Sequence, residues 1–123
     1  MPKKQPEQLL ASRVANFIRE DYPYQPFRFD LSADMPLPIG LAKRAKELHG
    51  EIWNRKYPDL FIPKVTKKYG GLYLELKAGL KVPNTPHTRG QAVYHQVLRN
   101  LGYKCMFCCG YADCIKKIKK YLK

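Results

Sequence analysis

An α/β fold, a mixed β-sheet flanked by helices, follows from three features of this sequence. Residues 72–77, Leu-Tyr-Leu-Glu-Leu-Lys, alternate at the period of a strand. Four other stretches repeat their apolar residues at helical spacing. The two kinds interleave in the order helix, strand, helix, strand, strand, helix, strand, helix, which suits helices layered on a sheet.

With 123 residues the chain is one domain, predicted over 6–123 after a mobile basic tail over 1–5. It is long enough to bury about two-thirds of its unfolded surface without staples. A hydrophobic content of 45% excludes wholesale disorder, and no apolar run is long enough to span a bilayer. Met1-Pro2-Lys3-Lys4-Gln5 lacks the apolar core of a signal peptide, so a cytoplasmic protein is expected. The formal charge is +13, from 23 basic against 10 acidic residues, and favours a polyanionic partner.

The first helix starts at Pro6, with Leu10, Val14, Phe17 and Ile18 on one face. Glu7 shares that face from the first turn; Glu20 and Asp21 close the helix as solvated surface. Phe27-Arg28-Phe29 reads as an opening strand, and Ser32 to Pro38 as a proline-broken loop. Ile39 to Leu48 reads as a helix with Leu41, Ala45 and Leu48 inward, Lys43, Arg44 and Lys46 outward, and Gly50 as its stop. A strand beginning at Asp59, after Pro58, pairs with 72–77 across the turn Lys67-Lys68-Tyr69-Gly70-Gly71. A loop carrying Lys81 leads to a helix over Thr88–Leu101, with Tyr94, Leu98 and Leu101 inward and Gly102 as its stop. Tyr103 to Cys109 is an apolar run fit for a buried strand. The last helix starts at Asp113 and turns Ile115, Ile118 and Leu122 inward, with Lys116, Lys117, Lys119, Lys120 and Lys123 outward.

The hairpin carries the chemistry. Antiparallel pairing brings Asp59 level with Glu75, and Lys77 projects from the same face as Glu75. Paired carboxylates are hard oxygen ligands for Mg²⁺ or Mn²⁺ that leave coordination sites for water and phosphate. Such an ion activates bound water and polarises a phosphoryl oxygen, and a neighbouring ammonium offsets developing charge. The set suits phosphodiester hydrolysis. Glu75-x-Lys77 alone reads better as an exposed pair on an amphipathic strand, since that tripeptide is common; the Pro58-Asp59 start and the apolar back face shift the balance toward function.

Pro58-Asp59, then Glu75-Leu76-Lys77 sixteen residues on, then Gln91 on a following helix, resembles the PD-(D/E)xK nuclease pattern. More narrowly, the order of elements from Leu10 to Gly102-Tyr103 resembles the virus-type replication-repair nuclease (VRR-NUC) domain. The resemblance implies a restriction-endonuclease-like fold and a metal-dependent DNA endonuclease, often homodimeric and acting on branched DNA such as Holliday junctions. It further suggests a bacterial cell or the host of a phage or prophage. Asp59 and Glu75 would hold the metal and Lys77 would position the attacking water. Glu7 would reach the metal site, although a first-turn acid also complements the helix dipole. Gln91 would bond a metal water or phosphate, although Thr88-x-x-Gln91 also reads as a capping box. Lys56 departs from the pattern, since that family often carries a glycine before the Pro-Asp pair.

Lys43, Arg44, Lys46, Lys81, Lys116, Lys117, Lys119 and Lys120 are candidate phosphate contacts. Cys105, Cys108, Cys109 and Cys114 lack the two separated knuckles of a structural zinc site, so buried free thiols are expected and disulfides are not. His49, His87 and His95 form no ligand pair at helical spacing and read as surface residues, although His87, just ahead of the Gln91 helix, is placed to approach phosphate. Competing readings are a non-catalytic nucleic-acid-binding module and a sequence-specific restriction-like enzyme. A membrane-surface role is disfavoured, because the last helix has too small an apolar face to insert.

Overall fold

The computed structural model describes residues 6–30 and 38–123. The tail predicted over 1–5 and the loop predicted over Ser32–Pro38, save its last residue, lie outside the described residues. Eight elements follow in the predicted order: α1 (Pro6–Asp21), β1 (Arg28–Phe29), α2 (Ile39–Trp53), β2 (Leu60–Ile62), β3 (Leu72–Lys77), α3 (Pro86–Asn100), β4 (Lys104–Cys109) and α4 (Tyr111–Tyr121). The sheet order is β1-β2-β3-β4. β1–β2 and β2–β3 are antiparallel, whereas α3 crosses over to make β4 parallel to β3.

Strand alternation sorts the core into two sides. Leu72, Leu74 and Leu76 meet Leu10, Val14, Phe17 and Ile18 of α1 and Ile118, Tyr121 and Leu122 at the end of the chain. Tyr73 and Cys105 point the other way, to Leu98 of α3, with Phe61, Tyr94 and Tyr103 packed around them. The result is an α/β sandwich of α1 and α4 on one face and α3 on the other.

Three expectations need correction. Leu41 and Leu48 are exposed rather than inward, and α2 buries no residue. Its periodicity is intact, but no sheet face lies along it. Gly50, with φ of 79°, breaks the helix ahead of its last residues and brings Trp53 against Tyr94 of α3, where the rings stack at 5.0 Å. A residue with a Cβ there is strained. Leu101 is exposed because α3 has ended and position 101 is the C-cap. Cys108 and Cys114 form a disulfide, with Cα atoms 5.1 Å apart where β4 faces the first turn of α4. Cys105 and Cys109 are free thiols. No helix of the described residues is long and apolar enough to cross a membrane.

Candidate active site

β2 and β3 present the two carboxylates. Leu60 pairs with Leu74, so Asp59, one residue ahead of the strand, lies beside Glu75. Both are buried, at 2% and 3% exposure, which rules out the solvated Glu–Lys surface pair. Asp59 Oδ2 accepts from the Leu76 amide at 2.8 Å, replacing the strand partner that β2 is too short to provide. Asp59 Oδ1 is buried and has no hydrogen-bond partner. Burial lifts the Asp59 carboxyl above its ordinary pKa; the adjoining Glu75 carboxyl, the Leu76 amide and the Lys77 charge oppose the rise.

Gln91 joins the set from α3. Its Nε2 donates to Glu75 Oε1 at 2.9 Å, and its Oε1 accepts from Lys77 Nζ at 3.0 Å. One amide thus uses both ends to hold a carboxylate and an ammonium in fixed relation. The capping role belongs elsewhere: Thr85 is the N-cap of α3 and accepts from the Thr88 amide at 3.1 Å, with Pro86 following it. Gln91 is therefore not the capping-box glutamine.

Glu7, Asp59, Glu75, Lys77 and Gln91 all line one cavity of about 500 Å³, together with Leu76, Asn54, Arg55, Lys56 and His87. Nothing in the sequence marks Asn54, Arg55 and Lys56 as pocket residues, and His87, although exposed, stands at the cavity. Lys56 Nζ donates to His87 Nδ1 at 3.0 Å; burial and then the Lys56 charge lower the His87 pKa, keeping the ring an acceptor. Arg55 has φ of 63°, a left-handed conformation costing about 1–2 kcal/mol for a residue with a Cβ. The turn before Pro58-Asp59 therefore does use the left-handed region where glycine is at home, but at Arg55.

Gly90 carried a signal for Lys56. A Cβ at Gly90 would stand 2.8 Å from Lys56 Cε and 3.2 Å from Nζ, so the lysine crosses α3 where a side chain is missing. A glycine inside a helix costs about 1 kcal/mol against alanine. Because the opposing atoms are the movable end of a lysine, Gly90→Ala should stabilise the fold by about 0.5–1 kcal/mol while pushing Lys56 aside. A thermal melt showing no gain would mean that Lys56 is held firmly where it lies.

The candidate phosphate contacts lie outside this cavity. Lys43, Lys81, Lys116, Lys119 and Lys120 are exposed. Arg44 pairs with Glu47 at 3.6 Å and Lys46 with Glu51 at 2.9 Å. Lys117 does not face out as expected: it donates to the Phe107 carbonyl and to Asp113, both at 2.8 Å, tying α4 to β4. His95 is a further correction, being fully buried against Phe107 with neither ring nitrogen hydrogen-bonded. Its position four residues after Gln91 put it on the buried face of α3.

Among the described residues no group of three or more His, Cys, Asp and Glu stands close enough to hold a metal ion. Within the cavity Asp59 and Glu75 are two adjacent hard carboxylates, a pair that suits an ion keeping several waters.

No family model matches this sequence, and no curated protein does. Among solved structures, one described as a VRR_NUC domain protein superposes with a TM-score of 0.69, over 98% of this chain and 91% of its own length, at 21% identity. In its four helices and four-stranded mixed sheet, this chain has the VRR-NUC fold.

Proposed function

We propose that the protein is a divalent-metal-dependent endonuclease that hydrolyses DNA phosphodiester bonds and favours branched DNA such as four-way junctions. The observation that carries this reading is the buried, unpartnered Asp59 Oδ1 beside Glu75, in a cavity that also holds an ammonium. An acceptor oxygen buried in this way is costly unless a cation or a donor meets it. Asp59 and Glu75 fit Mg²⁺ or Mn²⁺ by donor chemistry, and the ion when bound would supply Lewis acidity and an acidified water.

The chain's own residues do the rest. Gln91 keeps the Glu75 carboxylate and the Lys77 ammonium in register, 2.9 and 3.0 Å from its two ends. Lys77 orients the attacking water and steadies the phosphoryl oxygen as the water oxygen bonds to phosphorus and the ester P–O bond breaks. Arg55 and Lys56 at the rim balance two buried carboxylates that would otherwise repel the substrate. Glu7 approaches from the first turn of α1 as a further acceptor at the same cavity. The exposed lysines of α2 and α4 hold phosphates without reading bases, so discrimination falls to DNA shape. Cutting opposed strands of a junction calls for two sites, which a homodimer supplies.

Incubating the protein with labelled duplex, flap and four-way junction DNA, with Mg²⁺, Mn²⁺ or chelator, tests the reading. Cleavage only with metal, strongest on the junction, is expected. A protein that binds DNA but cuts none of the three with either metal is a binding module instead. Cutting confined to one duplex sequence would make it a restriction-like reader.

A further inference from the structure

We infer that the aromatic cleft beside the carboxylate cavity takes an unpaired nucleotide, with Arg55 holding the phosphate that links it to the one cut. The inference deepens the nuclease reading and rests on it for the nature of the ligand.

The cleft has a volume of about 830 Å³ and is walled by Trp53, Tyr57, Phe61 and Tyr94. Trp53 and Tyr94 are already stacked, with ring centroids 5.0 Å apart and planes 26° from parallel. Tyr57 meets Tyr94 at 5.9 Å and donates its hydroxyl to that of Tyr73 at 3.2 Å, so the wall is braced before any ligand arrives. A base that inserts extends an existing stack and loses little freedom in the protein. A base inside a duplex has both faces covered and cannot enter a concave cleft, so the cleft selects an unpaired one.

Charge and position point the same way. Arg28 and Arg55 stand on the wall against one carboxylate, Asp30. Asn54 and Arg55 line both the cleft and the carboxylate cavity, so the two adjoin at this turn. Arg55 occupies a left-handed position that glycine would fill without strain. A guanidinium on the wall the two spaces share can grip a phosphate with two parallel hydrogen bonds. The strand therefore runs from a stacked, unpaired base past Arg55 to the phosphate at Asp59 and Glu75, as at a branch point or a flap.

Trp53 is the single tryptophan of the chain and reports directly on the cleft. Metal-free protein in chelator is titrated with a short oligothymidylate and with a blunt duplex of equal nucleotide content, in salt that suppresses contacts to surface lysines. Oligothymidylate is expected to quench Trp53 fluorescence saturably and duplex to leave it nearly unchanged. By anisotropy of labelled DNA, Trp53→Leu and Tyr94→Leu should each weaken oligothymidylate binding about ten-fold, with duplex binding changed less than about two-fold, and Arg55→Gly should weaken oligothymidylate binding about as much. Arg55→Gly keeps the left-handed backbone without strain, and a thermal melt of this variant checks that its loss of binding is not a loss of fold. Saturable binding that leaves Trp53 unaltered, equal losses on both DNAs, or no oligothymidylate binding would overturn the inference. Cleavage of branched DNA by a protein with silent Trp53 would sink the cleft alone. Quenching in a protein that cuts nothing would sink the nuclease reading and leave the cleft a binding site.

Discussion

Asp59→Asn should abolish cleavage and at the same time make the metal-free protein more stable. Metal assistance is worth several kcal/mol at the transition state, so the rate should fall on the order of a thousand-fold or more. The gain in stability comes from burial, which raises the Asp59 pKa. The native state keeps that proton to higher pH than the unfolded chain does. Wild-type stability therefore falls as pH climbs from the ordinary carboxylate range through the raised native value, and the loss is complete above it. Asparagine has no charge to bury, and its carbonyl can still accept from the Leu76 amide. The margin of Asp59→Asn over wild type should widen with pH and then level off, as read by chemical denaturation in chelator. Asp59→Ala should be less stable than Asp59→Asn by about 1–3 kcal/mol, because it also orphans the buried Leu76 amide. A wild-type cleavage rate in either variant with Mg²⁺ would remove Asp59 from the site.

His95 should account for a separate limb at acid pH. Burial, and then the charges of Arg99 and Lys77, lower its pKa from 6.5 to about 4. As pH falls, the unfolded chain takes up this proton first. Stability from His95 is thus intact above 6.5, drains away between 6.5 and about 4, and is lost no further below; the gap corresponds to about 3 kcal/mol. His95→Leu removes the titration and two buried nitrogens without hydrogen bonds, so it should match or exceed wild type at pH 7 and lack this limb. Asp59 titrates in an overlapping range with the opposite sign, so the difference between wild type and His95→Leu is the quantity to measure. Parallel denaturation curves for the two proteins from pH 7 to 4 would show that His95 is not buried neutral.

The carboxylate pair, the lysine and the glutamine were legible because strand and helix periods fix which side chains share a face. Pairing two short strands placed Asp59 beside Glu75, and a helical face placed Gln91 toward the sheet. The same period was available for His95, but a composition-based preference for surface histidine overrode it. Leu41 and Leu48 show the opposite failure. Their spacing describes an apolar stripe correctly, and only tertiary structure decides whether anything covers it. Asn54, Arg55 and Lys56 were hidden for a third reason. They belong to a kinked segment whose left-handed residue is not glycine, so no local rule marks the turn. The Cys108–Cys114 disulfide depends on how closely β4 approaches the start of α4, a distance that cysteine spacing does not give.

The bonds that fix the centre join residues close in sequence: Asp59 to Leu76 at a separation of 17, Glu75 to Gln91 at 16, and Lys77 to Gln91 at 14. The proposed catalytic set therefore sits within one uninterrupted run from Asp59 to Gln91, with Glu7 alone contributed from elsewhere. Such a run behaves as a cassette. Its loops close early in folding, since short closures carry a small entropic penalty. Chain cuts, insertions or swapped appendages before Tyr57 or after Asn100 leave its connectivity whole. Diversification of substrate in proteins built this way is then free to proceed in the flanking helices, where α2 hangs off the sheet, without reopening the bonds between Asp59 and Gln91.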